Sequence, residues 1–211
     1  MSILLGRLLE RKFIMSEASI GSESNSSPVT DRRIRKTRAA LKQSLTELLK
    51  TKSIKDISVK ELTDLADVNR GTFYLHYKDV FDLLDQSEND LLDELKTTLD
   101  NYNTDLVQGN PVILMEGVYK LCRNNASLVS TLIGENGDIK FLNKLNTVIR
   151  EKCLNDWSFI LKKQKLEHFD AYYSFLVGGC LSLLQYWFSN GMKQSPKELA
   201  TITGTFLERN L

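Results

Sequence analysis

The chain has 211 residues, 42% of them apolar and 26% charged, with only 11 glycines and 3 prolines. So few breakers favour long helices over many short strands, and no apolar run approaches the ~20 residues that a membrane-crossing helix needs. The net charge of +1 hides an asymmetry: residues 31–60 carry ten bases against three acids, and residues 61–211 are net acidic, the footprint of a polyanion-binding end on an acidic body.

In chain order, Leu4, Leu5, Leu8 and Leu9 sit at helical spacing but are broken by Arg7 and Glu10. A secretory signal needs an uninterrupted apolar stretch after basic residues, and none is present. Met15-Ser16 offers an alternative start of translation. Residues 16–29 are serine-rich and polar, so 1–30 reads as a disordered arm.

From Asp31 to Lys50, Ile34, Leu41, Leu45, Leu48 and Leu49 form one apolar stripe opposite the bases, which predicts the first helix. Ser58-Val59-Lys60-Glu61 is a capping box opening a short helix with Leu62, Leu65 and Ala66. Asp67-Val68-Asn69 makes a tight turn, and Asn69 caps a third helix through Leu75. Lys78-Asp79 starts a long acidic helix with Phe81, Leu84, Leu91, Leu92, Leu95 and Leu99 on its buried side. Asn110-Pro111 opens the next helix, to Asn124. Helices over 126–133, 138–163 and 167–190 follow, and Ser195-Pro196-Lys197-Glu198 caps a last one to Arg209. The fold is predicted all-α, with nine helices.

Two short helices joined by a three-residue turn, after a basic helix, form a helix-turn-helix pattern. Its second helix enters the major groove of double-stranded DNA, where N-terminal side chains reach base edges. Arg70 suits a bidentate pair with guanine, and Thr72 suits a phosphate or a thymine methyl. Gly71 permits close backbone approach. Asn69 belongs to the same edge. Tyr74, His76 and Lys78 supply phosphate donors at the far end, and Lys60 supplies one at the start of the preceding helix. Phe73 and Tyr77 read as packing residues.

The run VKELTDLADVNRGTFYLHYKDVFDLL, residues 59–84, resembles the helix-turn-helix signature of TetR-type (tetracycline-repressor-like) transcriptional regulators. Two positions depart from that pattern: Asp67 stands where glycine is usual, and Val80 where lysine is usual. Aspartate tolerates the left-handed turn conformation, so the turn is expected to survive. The resemblance implies DNA contacts by Lys60, Arg70, Thr72, Tyr74, His76 and Lys78. It also implies a two-domain protomer, with residues 31–78 binding DNA and 79–211 binding an effector and dimerising. The pattern around Leu132-Ile133-Gly134, Tyr173, Gly178-Gly179, Trp187 and Ser195-Pro196 is similar to regulators of dihydroxyacetone-kinase operons, some of which activate in response to a protein partner.

From Phe169 to Phe188 the chain is apolar nearly all round, so that helix must be covered on both sides. A homodimer through residues 167–190 and 195–209 is expected, with Tyr173, Val177, Leu181, Leu184, Phe188 and Phe206 at the interface. Candidate pocket walls are Tyr119, Cys122, Phe141, Trp157, Tyr172 and Phe175. The three cysteines, Cys122, Cys153 and Cys180, form no C-x-x-C pair and suit a reducing, cytoplasmic setting as inert core thiols. With two histidines, no paired Glu-x-x-His motif and no phosphate loop or nucleophile elbow, neither an enzyme nor a metal or other cofactor is expected. The expectation is a dimeric repressor released by a small molecule; the alternative is a DNA-binding activator governed by a docked protein.

Overall fold

The structure, a computed structural model, describes residues 28–102, 111–134, 137–155 and 168–208. Of the expected arm over 1–30, residues 1–27 lie outside those residues, as do the start at Met15 and the pocket candidate Trp157, while residues 28–30 are helical rather than disordered. Among the described residues there are nine α-helices and no strand: α1 Pro28–Leu49, α2 Val59–Leu65, α3 Arg70–Tyr74, α4 Val80–Asn101, α5 Pro111–Asn124, α6 Ala126–Ile133, α7 Ile139–Asn155, α8 Phe169–Ser189 and α9 Pro196–Glu208. A single 3-10 turn, Ile54–Asp56, precedes α2.

Helix ends follow local chemistry. Ser58 Oγ accepts the Glu61 N–H at 3.2 Å, the first half of the expected box. The Glu61 carboxylate is taken by Lys52 Nζ at 2.5 Å instead. At α9 both arms close: Glu198 N–H reaches Ser195 Oγ at 3.2 Å, and Ser195 N–H reaches Glu198 Oε2 at 2.7 Å. These bonds satisfy amides that the first turn of a helix otherwise leaves open.

Residues 31–39 of α1 present Arg32, Arg33, Arg35 and Lys36 to solvent. From Leu41 onward one apolar cluster continues through Leu62, Phe73 and Leu83 to Trp187 and Leu199. The stripe predicted for α4 holds at Leu84, Leu91, Leu92, Leu95 and Leu99 and is joined by the buried Leu83, but Phe81 is half exposed. Leu65 of α2 is likewise half exposed. Both stand at the outward edge of a helix whose neighbours one turn away already fill the core.

Helices α5 and α9 pack closely because Gly204 has no side chain: a Cβ there would lie 2.5 Å from Val112 Cγ2. The buried Tyr119 hydroxyl and Thr203 Oγ1, 2.8 Å apart, join the same two helices. Trp187 is fully buried, its Nε1–H donating to the Gln194 carbonyl at 3.0 Å, and the turn it closes holds Gly191 and Met192 at φ of 70° and 52°. Between α4 and α7, Lys144 Nζ reaches Asp85 at 2.6 Å and the buried Glu88 at 3.3 Å. Burial pushes the Glu88 carboxyl above its ordinary range, and Lys144 offsets part of that shift.

Candidate nucleic-acid interface and apolar cavity

The turn between α2 and α3 is set by three residues. Asp67 adopts φ 52°, the left-handed conformation that its side chain tolerates. Val68 N–H returns to the Thr63 carbonyl at 3.0 Å. Asn69 caps α3, its Oδ1 accepting the Gly71 N–H at 2.7 Å. A Cβ at Gly71 would stand 3.1 Å from that same oxygen, so the glycine admits the cap as well as leaving the outer surface bare.

Side-chain direction then sorts α3 into two faces. Phe73 is fully buried and Tyr77 nearly so, with ring centroids 5.7 Å apart. Arg70 and Tyr74, four residues apart and therefore neighbours on one face, point outward. The guanidinium lies 5.6 Å from the Tyr74 ring centroid and donates from Nη2 to the Tyr74 hydroxyl at 3.1 Å. One hydrogen bond and one ring contact hold the long arginine side chain in place before any partner arrives.

The remaining expected contacts surround this pair. Thr72 and His76 are half exposed, and Lys60 and Lys78 are exposed. Lys78 is positioned through its backbone: its N–H donates to Asp82 Oδ2 at 2.8 Å, while Asp79 Oδ1 accepts the Asp82 N–H at 2.8 Å and caps α4. The Lys78 bond is the main cause holding the Asp82 carboxyl below its usual range. Val80 is buried, so the position where a lysine is customary contributes packing. Asn69 stands at this edge with its oxygen already engaged, which makes it an organiser of the helix start.

A second feature lies wholly within the helices from α4 onward. A cavity of about 490 Å³ is bounded by side chains of α4, α5, α6, α7, α8 and α9. Of the expected pocket residues, Tyr119, Cys122, Phe141 and Tyr172 line it. Phe175 does not; it is 66% exposed on the opposite side of α8. The contribution of α4, through Leu91, Leu92, Leu95 and Leu99, was not anticipated. Its signal was the leucine stripe, which periodicity assigns to packing because a cavity wall and a core face have the same spacing.

In the single protomer, five of the six expected dimer residues line the cavity or pack on the core. Tyr173, Val177, Leu181 and Leu184 line the cavity, and Phe188 packs on the core. Tyr173 donates inward to the Asn146 carbonyl at 2.9 Å and lies 2.7 Å from Asn146 Oδ1. The outward face of α8 instead carries Phe175, Gly178, Gly179, Ser182 and Tyr186, and nothing lies within 4 Å of a Cβ built at either glycine. Phe206 of α9 is 54% exposed and Ile202 38% exposed. A helix apolar on every side offers no polar stripe from which to choose between the two faces.

Burial pushes all three cysteine thiols up, to about 12 at Cys122 and about 11 at Cys153. They stay protonated near neutral pH and act as small apolar groups. Among the described residues no group of histidine, cysteine and acidic side chains could hold a metal ion, and no helix is long and apolar enough to cross a membrane.

Comparison with known proteins adds the following. Residues 114–209 match the family described as the transcriptional regulator C-terminal region, of the TetR type. An uncharacterised helix-turn-helix-type transcriptional regulator, YxbF of Bacillus subtilis (strain 168), is 36% identical over 61 residues. That stretch is 29% of this chain and only 15% of the relative. The TetR transcriptional regulator from Streptococcus agalactiae 2603V superposes with a TM-score of 0.55 at 24% identity, covering 84% of this chain and 97% of that one. The dihydroxyacetone kinase operon activator DhaS gives 0.55 at 15% identity, covering 82% and 95%. The chain has the all-α fold of TetR-type regulators, and DhaS is one of several neighbours sharing it.

Proposed function

We propose that this chain is a sequence-specific DNA-binding transcriptional regulator of the TetR type, a cytoplasmic homodimer without enzymatic activity. In this reading residues 31–78 read a palindromic operator, and residues 79–211 dimerise and bind a small-molecule effector whose arrival releases the DNA. The observation that carries it is the Arg70–Tyr74 pair, pre-ordered on the outer face of a helix whose inner face is locked by Phe73 and Tyr77. A guanidinium held in a fixed fork matches the guanine edge in the major groove. The exposed cations Lys60 and Lys78 supply backbone anchors.

Dimerisation serves the same end. Two recognition helices related by a two-fold axis, about one helical turn (~34 Å) apart, read the two halves of a palindrome. The unpartnered outer face of α8, with Phe175, Tyr186 and the open glycines between them, supports α8 and Phe206 of α9 as the paired surface. Release follows if the effector binds the weakly DNA-binding arrangement better, and a coupling of ~1–3 kcal/mol gives a 5–150-fold response.

The test is fluorescence anisotropy on DNA from the region upstream of the chain's own gene. Arg70→Ala should cost about 1–3 kcal/mol in affinity and relax preference at one operator position. An Arg70→Ala, Tyr74→Ala double variant that stays folded and binds as tightly as the parent would refute the reading. The likeness to an operon activator favours a second version, in which a protein docks on residues 79–211 and the regulator activates. A stoichiometric protein that co-purifies and alters DNA binding would select it.

A further inference from the structure

We propose that the cavity among α4–α9 takes a neutral, mainly hydrocarbon molecule carrying one hydrogen-bonding oxygen, seated so that this oxygen meets the Tyr172 hydroxyl. The inference deepens the effector reading above by naming the chemical class that the site selects.

Three observations carry it. The first is the lining. Among the described residues around the cavity there is no aspartate, glutamate, lysine, arginine or histidine; leucines and other apolar side chains dominate, with two asparagines, three tyrosines and three cysteines. An ionised ligand would be buried there without a counter-charge, which is far more costly than burying a neutral one. Arg150 lies over the rings of two lining residues, Phe169 and Tyr173, at 5.4 and 5.5 Å. Its charge is already met by Asp170 at 2.6 Å.

The second observation is the accounting of polar groups. Tyr119 is bonded to Thr203, and Tyr173 to Asn146. Tyr172 Oη is shielded from solvent and has no hydrogen-bond partner among the described residues. A buried hydroxyl left open is costly, and native structures rarely keep one without a use. Burial raises the Tyr172 pKa, so near neutral pH the phenol remains a donor as well as an acceptor. It can therefore meet an alcohol, a ketone or an ester oxygen.

The third is size. About 490 Å³ falls in the range of ligand pockets and well above the voids that close-packed interiors tolerate. Water does not order in a space so poor in polar partners. An apolar occupant of matching volume is what such a wall stabilises.

The experiment uses the full-length protein and four probes with the same ten-carbon chain and different heads: decane, 1-decanol, decanoate and decyltrimethylammonium. Binding is measured by displacement of a fluorescent apolar dye at pH 7.5. The expected order places 1-decanol at least roughly tenfold tighter than either ionised probe. Tyr172→Phe should weaken 1-decanol by roughly two- to tenfold and leave decane unchanged. Leu176→Trp, which fills the cavity from α8, should abolish binding of all four while circular dichroism stays helical.

Tighter binding of decanoate or of the ammonium than of 1-decanol overturns the proposal, as does the absence of binding by any probe. Equal loss of decane and 1-decanol affinity in Tyr172→Phe overturns the assigned role of that hydroxyl. DNA binding is scored separately, so failure of the cavity assignment leaves the DNA reading intact. Loss of the DNA reading likewise leaves the cavity result standing.

Discussion

Asp67 constrains the turn between α2 and α3, because its backbone sits where most side chains are disfavoured. Replacing it with valine should lower stability by about 1–2 kcal/mol, since a β-branched side chain fits that conformation poorly. Asp67→Gly should lose none, the relief of strain offsetting the greater freedom of the unfolded chain. Urea denaturation of the three proteins checks both. Phe73→Ala should cost about 3–5 kcal/mol, as expected for emptying a fully buried aromatic site. It should abolish DNA binding only through unfolding, whereas Arg70→Ala should spare the melting temperature. At this scale the sequence was most readable. Asp67, Asn69 and the Phe73/Tyr74 division are determined by neighbours within four positions, so local spacing suffices. The bond between Lys52 and Glu61 was not legible, because its partners lie nine residues apart across a turn.

Helix packing and helix capping rest on carboxyl groups that respond to pH in opposite senses. Glu88 on α4 has its carboxyl raised by burial, so the folded protein binds its proton more tightly than the unfolded chain does. Its contribution to stability is complete below the unfolded pKa of about 4.3 and is lost as pH rises through the folded value. Glu88→Gln should therefore gain stability relative to the parent between about pH 4 and pH 7. Parallel urea-unfolding profiles across that range would contradict this. Asp82 and Glu198, both lowered by backbone hydrogen bonds, act in the other direction. Their contribution is present above the unfolded pKa and is lost as pH falls through the folded one. Ser195→Ala, which removes one arm of the α9 cap, should cost about 1 kcal/mol in thermal denaturation. Caps and apolar stripes were visible in the sequence because they recur within a helical turn. The Lys144 link to Glu88 was not, since it joins helices 56 residues apart.

For the whole molecule, the proposed pairing surface gives the sharpest test. Phe175→Glu places a charge on the outer face of α8, where 66% of the side chain is exposed in the single protomer. It should convert dimer to monomer in sedimentation equilibrium and weaken operator binding, with the fold retained. Val177→Ala, at the cavity wall, should leave the assembly unchanged. The sequence predicts cover on both sides of α8 without assigning a neighbour to each side. The inward hydrogen bond of Tyr173 and the openness at Gly178 and Gly179 support the outer face as the paired one. The enclosure of Trp187 also has an optical consequence. Its indole, sealed from solvent, with Tyr119 edge-on at a centroid distance of 5.8 Å, should emit at short wavelength and resist quenching by iodide. In a Trp157→Phe background that emission becomes a single-site gauge, shifting to the red when α9 lifts and the Gln194 carbonyl releases the ring.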